Sequence, residues 1–311
     1  MRLLRSGLWR SAQGCRKLFH IVVDLIVETD LGRDPDDFFA LCYLVDAGVK
    51  LRAVVISPGD RDQVAVARGL FAVLGLDVPV GSARLEGERS SAGGVHLRFL
   101  ARYGLPDRCA PDGAGHDVIA DARARHPEAE LFVCGPMQNV GRHLAAGGAR
   151  FPRATVQGGF LAYAAHAHAV LHLQKFEGLE TVPTFNLNGD VKGAVRFLES
   201  ATPTHFVGKN VCHTVVYDRA RHEDVTATPA KSRAGEVLRE VMGMYLEGHA
   251  EKMFHDPTAA VCHLHPEIGL WVEGTPYRQS GGWGTRVGRS PHRALADIDR
   301  DALWRHLREG T

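Results

Sequence analysis

Residues 28–37 read ETDLGRDPDD and place five carboxylates, Glu28, Asp30, Asp34, Asp36 and Asp37, in ten positions. The preceding run IVVDLIV (21–27) is β-branched and apolar, and the following run FFALCYLV (38–45) is apolar at helical spacing. The acids therefore occupy a strand-to-helix turn between two buried elements. Like charges this close repel, and each costs stability unless something positive answers it. Capping the helix accounts for one aspartate, because a helix N-terminus favours a carboxylate. A bound divalent cation accounts for the rest, and hard oxygen ligands at this density suit Ca²⁺ or Mg²⁺. The order of the acids does not follow the EF-hand loop, and the chain has neither GxxxxGK[ST] nor GxSxG. A phosphatase with a nucleophilic aspartate wants a second acid two residues on, where Asp30 is followed by Gly32.

Outward from this turn, strand and helix signals alternate. HIVVDLIVET, LRAVVIS, VPVG, ELFVC, ATVQ and THFVGKNVC read as strands. DDFFALCYLVDAG, DQVAVARGLFAVLG, VHLRFLARYG, HDVIADARARH, QNVGRHLAA and DVKGAVRFLES read as helices. This order implies an α/β fold: a mostly parallel open sheet with helices on both faces. SRAGEVLREVMGMYLEGHAEKMF (232–254) reads as one long amphipathic helix, and DIDRDALWRHLRE as a final one, with the last fifty residues otherwise mixed. Without an internal repeat or a linker, residues 21–311 are expected to form one domain. Residues 1–20, with five basic side chains and no acid, resemble a transit peptide in composition and are read instead as a disordered basic tail.

At 311 residues, 45% hydrophobic and 23% charged, with a formal net charge of +1, the chain lacks the basic field of a nucleic-acid binder. No apolar run reaches the ~18 residues of a membrane span. The six cysteines form no CxxC and no disulfide framework, so they are expected to be buried thiols in a reducing, cytoplasmic compartment.

Parallel sheets bind ligands beyond the carboxyl ends of their strands, and the acidic turn lies at such an end, with the turns after ISPGD, CGPMQN and VQGGF. Asp30, Gly32 and the pair Asp36–Asp37 resemble the D-x-G-x-D-D signature of the inosine–uridine-preferring nucleoside hydrolases. Further blocks follow in the family's order: CGPMQN (134–139), VQGG (156–159), PTFN (183–186), NGDVKGAV and FHDP (254–257). The resemblance implies a Ca²⁺-dependent N-ribosyl hydrolase, acting on a small ribosyl substrate and assembled as a homo-oligomer. It implies side-chain metal ligands Asp30, Asp37 and Asp256, with the backbone carbonyl of Gln138. Asp30 would also take the proton of the attacking water, Asp36 and Asn186 would hold ribose hydroxyls, and His255 would protonate or orient the leaving base. A protein on the same fold that binds metal and ribose without hydrolysis is the alternative.

Three departures bear on these roles. Two extra residues between Gly32 and the aspartate pair let Asp34 share the ribose-binding role given to Asp36. Gly59–Asp60 stands where the family has Gly-Asn, an acid that could tighten the metal or raise a neighbour's pKa. The acidic residue that holds the ribose 5′-hydroxyl is replaced by Thr184, and its Asn partner falls near Gly178, which implies a substrate modified at the 5′ position or carrying an unusual base. His166, His168 and His172 are expected on a loop, at most one touching the leaving group. His263 and His265 are expected to be packing or surface residues, and Cys212 a structural thiol rather than a nucleophile.

Overall fold

The structure, a computed structural model, describes residues 23–85, 89–166 and 171–310. The basic stretch 1–20, with Cys15, and His168 lie outside the described residues. β1 (Asp24–Thr29) leads into α1 (Pro35–Asp46), β2 (Lys50–Ile56) into α2 (Arg61–Leu74), and β3 (Val80–Ser82) into α3 (Gly94–Arg102). β4 (Gly113–Ala114), α4 (Gly115–Arg125), β5 (Glu130–Cys134), α5 (Gln138–Ala145) and β6 (Ala154–Gln157) continue the alternation. Next come α6 (Phe185–Gly189), α7 (Val191–Glu199), β7 (Thr204–Val207), α8 (Lys209–Cys212), β8 (Val216–Asp218), α9 (Arg219–Thr226) and α10 (Arg233–Leu246). β9 (Glu251–Met253), α11 (Asp256–Leu264), β10 (Gly269–Gln279), β11 (Gly282–Val287), β12 (His292–Ile298) and α12 (Arg300–Glu309) follow.

Ten strands form one sheet in the order β11-β10-β12-β7-β6-β5-β1-β2-β3-β4, parallel from β4 through to β12, with β10 and β11 joined antiparallel at the edge. Successive strand side chains point to opposite faces, so a central strand must feed two cores. Leu25 and Val27 of β1 join one core with α1, α2, α10 and α11, while Ile26 joins the other with α4, α5 and α7. From β1 the chain steps outward through β2, β3 and β4, then restarts at β5 on the other side of β1. The switch point between β1 and β5 opens a crevice beyond their carboxyl ends. Among the described residues, no helix is long and apolar enough to cross a membrane.

The structure departs from the sequence reading in three places. The long helix ends at Leu246 and gives way to β9. Its buried face, Ala234, Val237, Leu238, Val241, Met242 and Leu246, has only the small Ala250, which is exposed, to follow it in EGHAE, and Gly248 weakens any continuation. β7 stops at Val207 because Gly208 passes against Gly159, where a Cβ would lie 2.9 Å from the Gly159 carbonyl oxygen. The chain then turns into α8 and sends Lys209 toward the crevice. The mixed C-terminal stretch contains β10, β11 and β12, whose glycines and interspersed charges hide the alternation.

Candidate active site

The acids of the opening turn are divided by strand alternation and helix geometry. Glu28 points away from the crevice and is fully buried beneath α5. It accepts hydrogen bonds from the Asn139 and Val140 backbone N–H groups (2.8 and 2.9 Å) and from the Ser57 hydroxyl (2.7 Å). It is therefore a cap on α5, and burial still pushes its pKa up to about 7. Asp34 is mostly exposed and pairs with Lys252 (3.0 Å). Asp34 lines the crevice with Asp30, Asp36 and Asp37, of which Asp36 and Asp37 are buried.

The turn holds its shape through Gly32, whose φ of +148° and contact with the Gln63 side chain leave no room for a Cβ. Gln63 Nε2 donates to the carbonyls of Asp30 (3.1 Å) and Leu31 (2.9 Å). Asp37, in the first turn of α1, accepts from the Thr29 hydroxyl and from the Asp30 N–H (3.3 Å).

From the far end of the sequence, α11 brings Asp256 to the same place. Carboxylate oxygens of Asp36, Asp37 and Asp256 lie within 4.8 Å of one another, and all three residues are buried. Asp30 lines the same cleft beside them. Burial and mutual repulsion push Asp37 up to about 7 and hold Asp30 and Asp256 well above the ordinary carboxylate range. Lys252 reaches Asp36 at 3.3 Å, and its positive charge opposes the upward shift that burial imposes on Asp36. The Lys252 ammonium, with the exposed Arg33 also lining the cleft, is outnumbered by the carboxylates and leaves the cage short of positive charge. An all-oxygen, buried donor set of this kind fits a hard divalent cation.

The cleft encloses about 450 Å³. Of the residues singled out by sequence, Asp30, Asp34, Asp36, Asp37, Thr184, Asn186, His255 and Asp256 all line it; Gln138, at the start of α5, does not. Asp60 also stays outside, its carboxylate answered by Arg84 (2.7 Å) and Ser91 (2.6 Å). Asn186 donates to the backbone and side-chain oxygens of Gln157 (3.0 and 2.8 Å), and Gln157 Nε2 lies 3.4 Å from His255 Nδ1. Gln157, the last residue of β6, thus ties the two together. Burial, reinforced by His213, Lys252 and Lys209, pushes His255 down to about 3, so its imidazole is neutral at pH 7. With Nδ1 accepting from Gln157, the ring proton is assigned to Nε2.

Sequence reasoning missed Lys252, Gln157, Phe185, Lys209 and His213 as lining residues. Phe185 lies inside the quoted PTFN block, and its ring is 68% exposed beside the cleft. Among the remaining histidines, His172 stacks on Tyr163, and His263 is buried between Thr155 (2.9 Å) and Glu130 (3.2 Å). Cys212 is a buried thiol whose pKa burial raises, which removes it as a nucleophile.

A sequence model described as inosine-uridine preferring nucleoside hydrolase matches residues 25–305. Similar solved structures include a plant nucleoside hydrolase (TM-score 0.72, 18% identity, covering 93% of this chain and 98% of that one). A purine-preferring ribonucleoside hydrolase from Gardnerella vaginalis gives a TM-score of 0.69 at 17% identity, covering 92% and 97%. An inosine-uridine preferring nucleoside hydrolase from Bacillus anthracis gives 0.68 at 13%, covering 93% and 99%. A comparison with curated protein sequences finds no match. Fold and family together define an enzyme that cleaves N-glycosidic bonds. The chain belongs to the inosine-uridine preferring nucleoside hydrolase family.

Proposed function

We propose that the protein is a Ca²⁺-dependent N-ribosyl hydrolase that releases the free base from a nucleoside-like compound modified at its 5′ position. The observation that carries this reading is the buried triad Asp36, Asp37 and Asp256 beside Asp30, in one cleft with Asn186 and His255. Asp37 and Asp256 would hold the ion, with Asp30 completing the set and Asp36 shared between the ion and Lys252; the Gln138 carbonyl, expected as a ligand from the resemblance, is left out because Gln138 does not line the cleft. When bound, Ca²⁺ supplies Lewis acidity toward water and a sugar diol.

Asp30 acts as the base. It lines the cleft beside the triad and, ionised, would take the proton as water attacks the anomeric carbon. The transition state of glycoside cleavage is oxocarbenium-like, and the carboxylates stabilise its positive charge. Asp36, Asp34 and the Asn186 amide are assigned to ribose hydroxyls. Because His255 is neutral, its role is to orient the departing base through Nε2–H rather than to donate a proton as an imidazolium. Phe185 offers its exposed ring to the base. Thr184, in place of an acid, makes the 5′ end of the cleft less negative and supports a 5′ modification.

The missing imidazolium favours a second reading, a protein that binds metal and ribose without turnover. Base release with and without EDTA, for wild type and Asp30→Ala, separates the two. The enzyme reading expects release that EDTA abolishes and an Asp30→Ala protein that binds ligand but turns over at least ~10²-fold more slowly. No release from any nucleoside, with ribose and metal binding retained, would establish the second reading. On the same resemblance we assign residues 21–311 to one domain, the protein to a homo-oligomer, and its location to the cytoplasm. Four buried free cysteines are consistent with that reducing compartment.

A further inference from the structure

The cleft has two electrostatic ends. Beyond His255, away from the acid cage, the ring of His213 lies 5.0 Å from that of His255. Lys175 Nζ is 2.8 Å from His213 Nδ1. Lys209, which lines the cleft, is held at 2.7 Å by the carbonyl of Pro183, the residue before Thr184. Among the described residues neither ammonium forms an ion pair, whereas Lys252 at the acid end has two carboxylates. Both lysines lie beside His213: Lys175 Nζ touches its ring, and Lys209 precedes it by one helical turn, its carbonyl accepting from the His213 N–H (3.2 Å). Thr184, which lines the same cleft, is only 2% exposed, and its hydroxyl has no hydrogen-bond partner. A buried hydroxyl without a partner costs free energy that a ligand atom would recover.

We propose that Lys209, Lys175 and Thr184 form a subsite for a phosphate on the 5′ carbon of the ribose, so that the substrate class is nucleoside 5′-phosphates. This rests on the N-ribosyl hydrolase reading above and specifies the modification. A ribose phosphate is neutral and diol-bearing at one end and dianionic at the other, matching the two ends of the cleft. Two ammonium groups give the charge-assisted contacts that a phosphate takes, and the Thr184 hydroxyl donates a third. In the reaction the water oxygen bonds to the anomeric carbon and the carbon–nitrogen bond breaks. The electron pair leaves with the base nitrogen, the proton that Asp30 takes from water is passed on to the released base, and ribose 5-phosphate leaves with its P–O bonds untouched.

The experiment has two arms. In the first, Ca²⁺-loaded protein is assayed for base release from inosine and uridine and from their 5′-monophosphates. The expected result is a kcat/KM at least ~10-fold higher for the monophosphates, with the advantage shrinking at high ionic strength and collapsing toward unity in Lys209→Ala and Lys175→Ala. In the second arm, calorimetry compares ribose 5-phosphate with ribose, a readout that needs no turnover. Tighter binding of ribose 5-phosphate, lost in Lys209→Ala, supports the subsite even if no base is released, in which case the hydrolase reading fails alone. Nucleoside cleavage with no gain from the 5′-phosphate, or equal binding of the two sugars, overturns the subsite and leaves the hydrolase reading standing.

Discussion

Lys252 Nζ lies 3.3 Å from Asp36 Oδ1 and 3.0 Å from Asp34 Oδ2, with the lysine side chain 11% exposed. It is the chain's own answer to the charge gathered in the acidic turn. Removing one partner of a buried pair leaves the other uncompensated, at about 3 kcal/mol. Lys252→Met is therefore expected to lower the unfolding free energy of EDTA-treated protein, read from urea titration, by about 3 kcal/mol, with added Ca²⁺ restoring part of the loss. An unchanged unfolding free energy in both conditions would show that the contact carries no stability.

Protonation and a bound cation would compete at the cage. The Asp37 carboxyl moves from 3.8 to about 7 on folding, so between those values the folded chain holds more protons than the unfolded one. The stability of the cation-free protein therefore falls as pH rises through that window and levels off above it. A bound cation requires ionised carboxylates, so its affinity rises through the same window. Melting curves should show Ca²⁺ raising the Tm by several degrees at pH 8 and hardly at all at pH 5. Equal stabilisation at both values would remove the carboxylates as its ligands.

Phe185 is exposed where a leaving base would stack. Stacking on an aromatic ring contributes about 1 kcal/mol. Phe185→Ala should raise KM about 5-fold with little change in kcat. A loss confined to kcat would place Phe185 in a positioning role instead.

Gln157 links Asn186 to His255. Gln157→Leu removes both contacts while keeping side-chain volume. Steady-state kinetics should show kcat/KM falling about 10- to 100-fold, the range seen when a supporting contact to a functional group is lost. Wild-type kinetics would show that the His255 ring needs no such support.

The parallel sheet was legible because β-branched runs and helical spacing alternate strongly from residue 21 to residue 207, and both are local signals. The β10–β12 strands were not, because an edge meander with exposed charges has no sustained alternation. Asp30, Asp37 and Asp256 stood out by charge density and by ordered motifs. Glu28 was counted among the facing acids although strand alternation turns it toward α5. Gln157 lies within the quoted VQGG block but carries no charge to single it out, and Lys252 and Lys209 carry no local pattern: each of the three reaches the cleft from a different element, β6, β9 and α8, a relation only the tertiary arrangement contains. The place where Thr184 departs from the motif became informative once Lys209 was seen beside it.

On the proposed reading, carboxylates from opposite ends of the chain cage one hard cation on which base release depends. Ca²⁺ titrated into EDTA-stripped protein, with base release and ion binding followed in the same sample, should make both signals rise together and saturate at about one ion per chain. Both should vanish in Asp37→Asn and Asp256→Asn. Full turnover in EDTA, or calcium binding undisturbed by both substitutions, would contradict that reading.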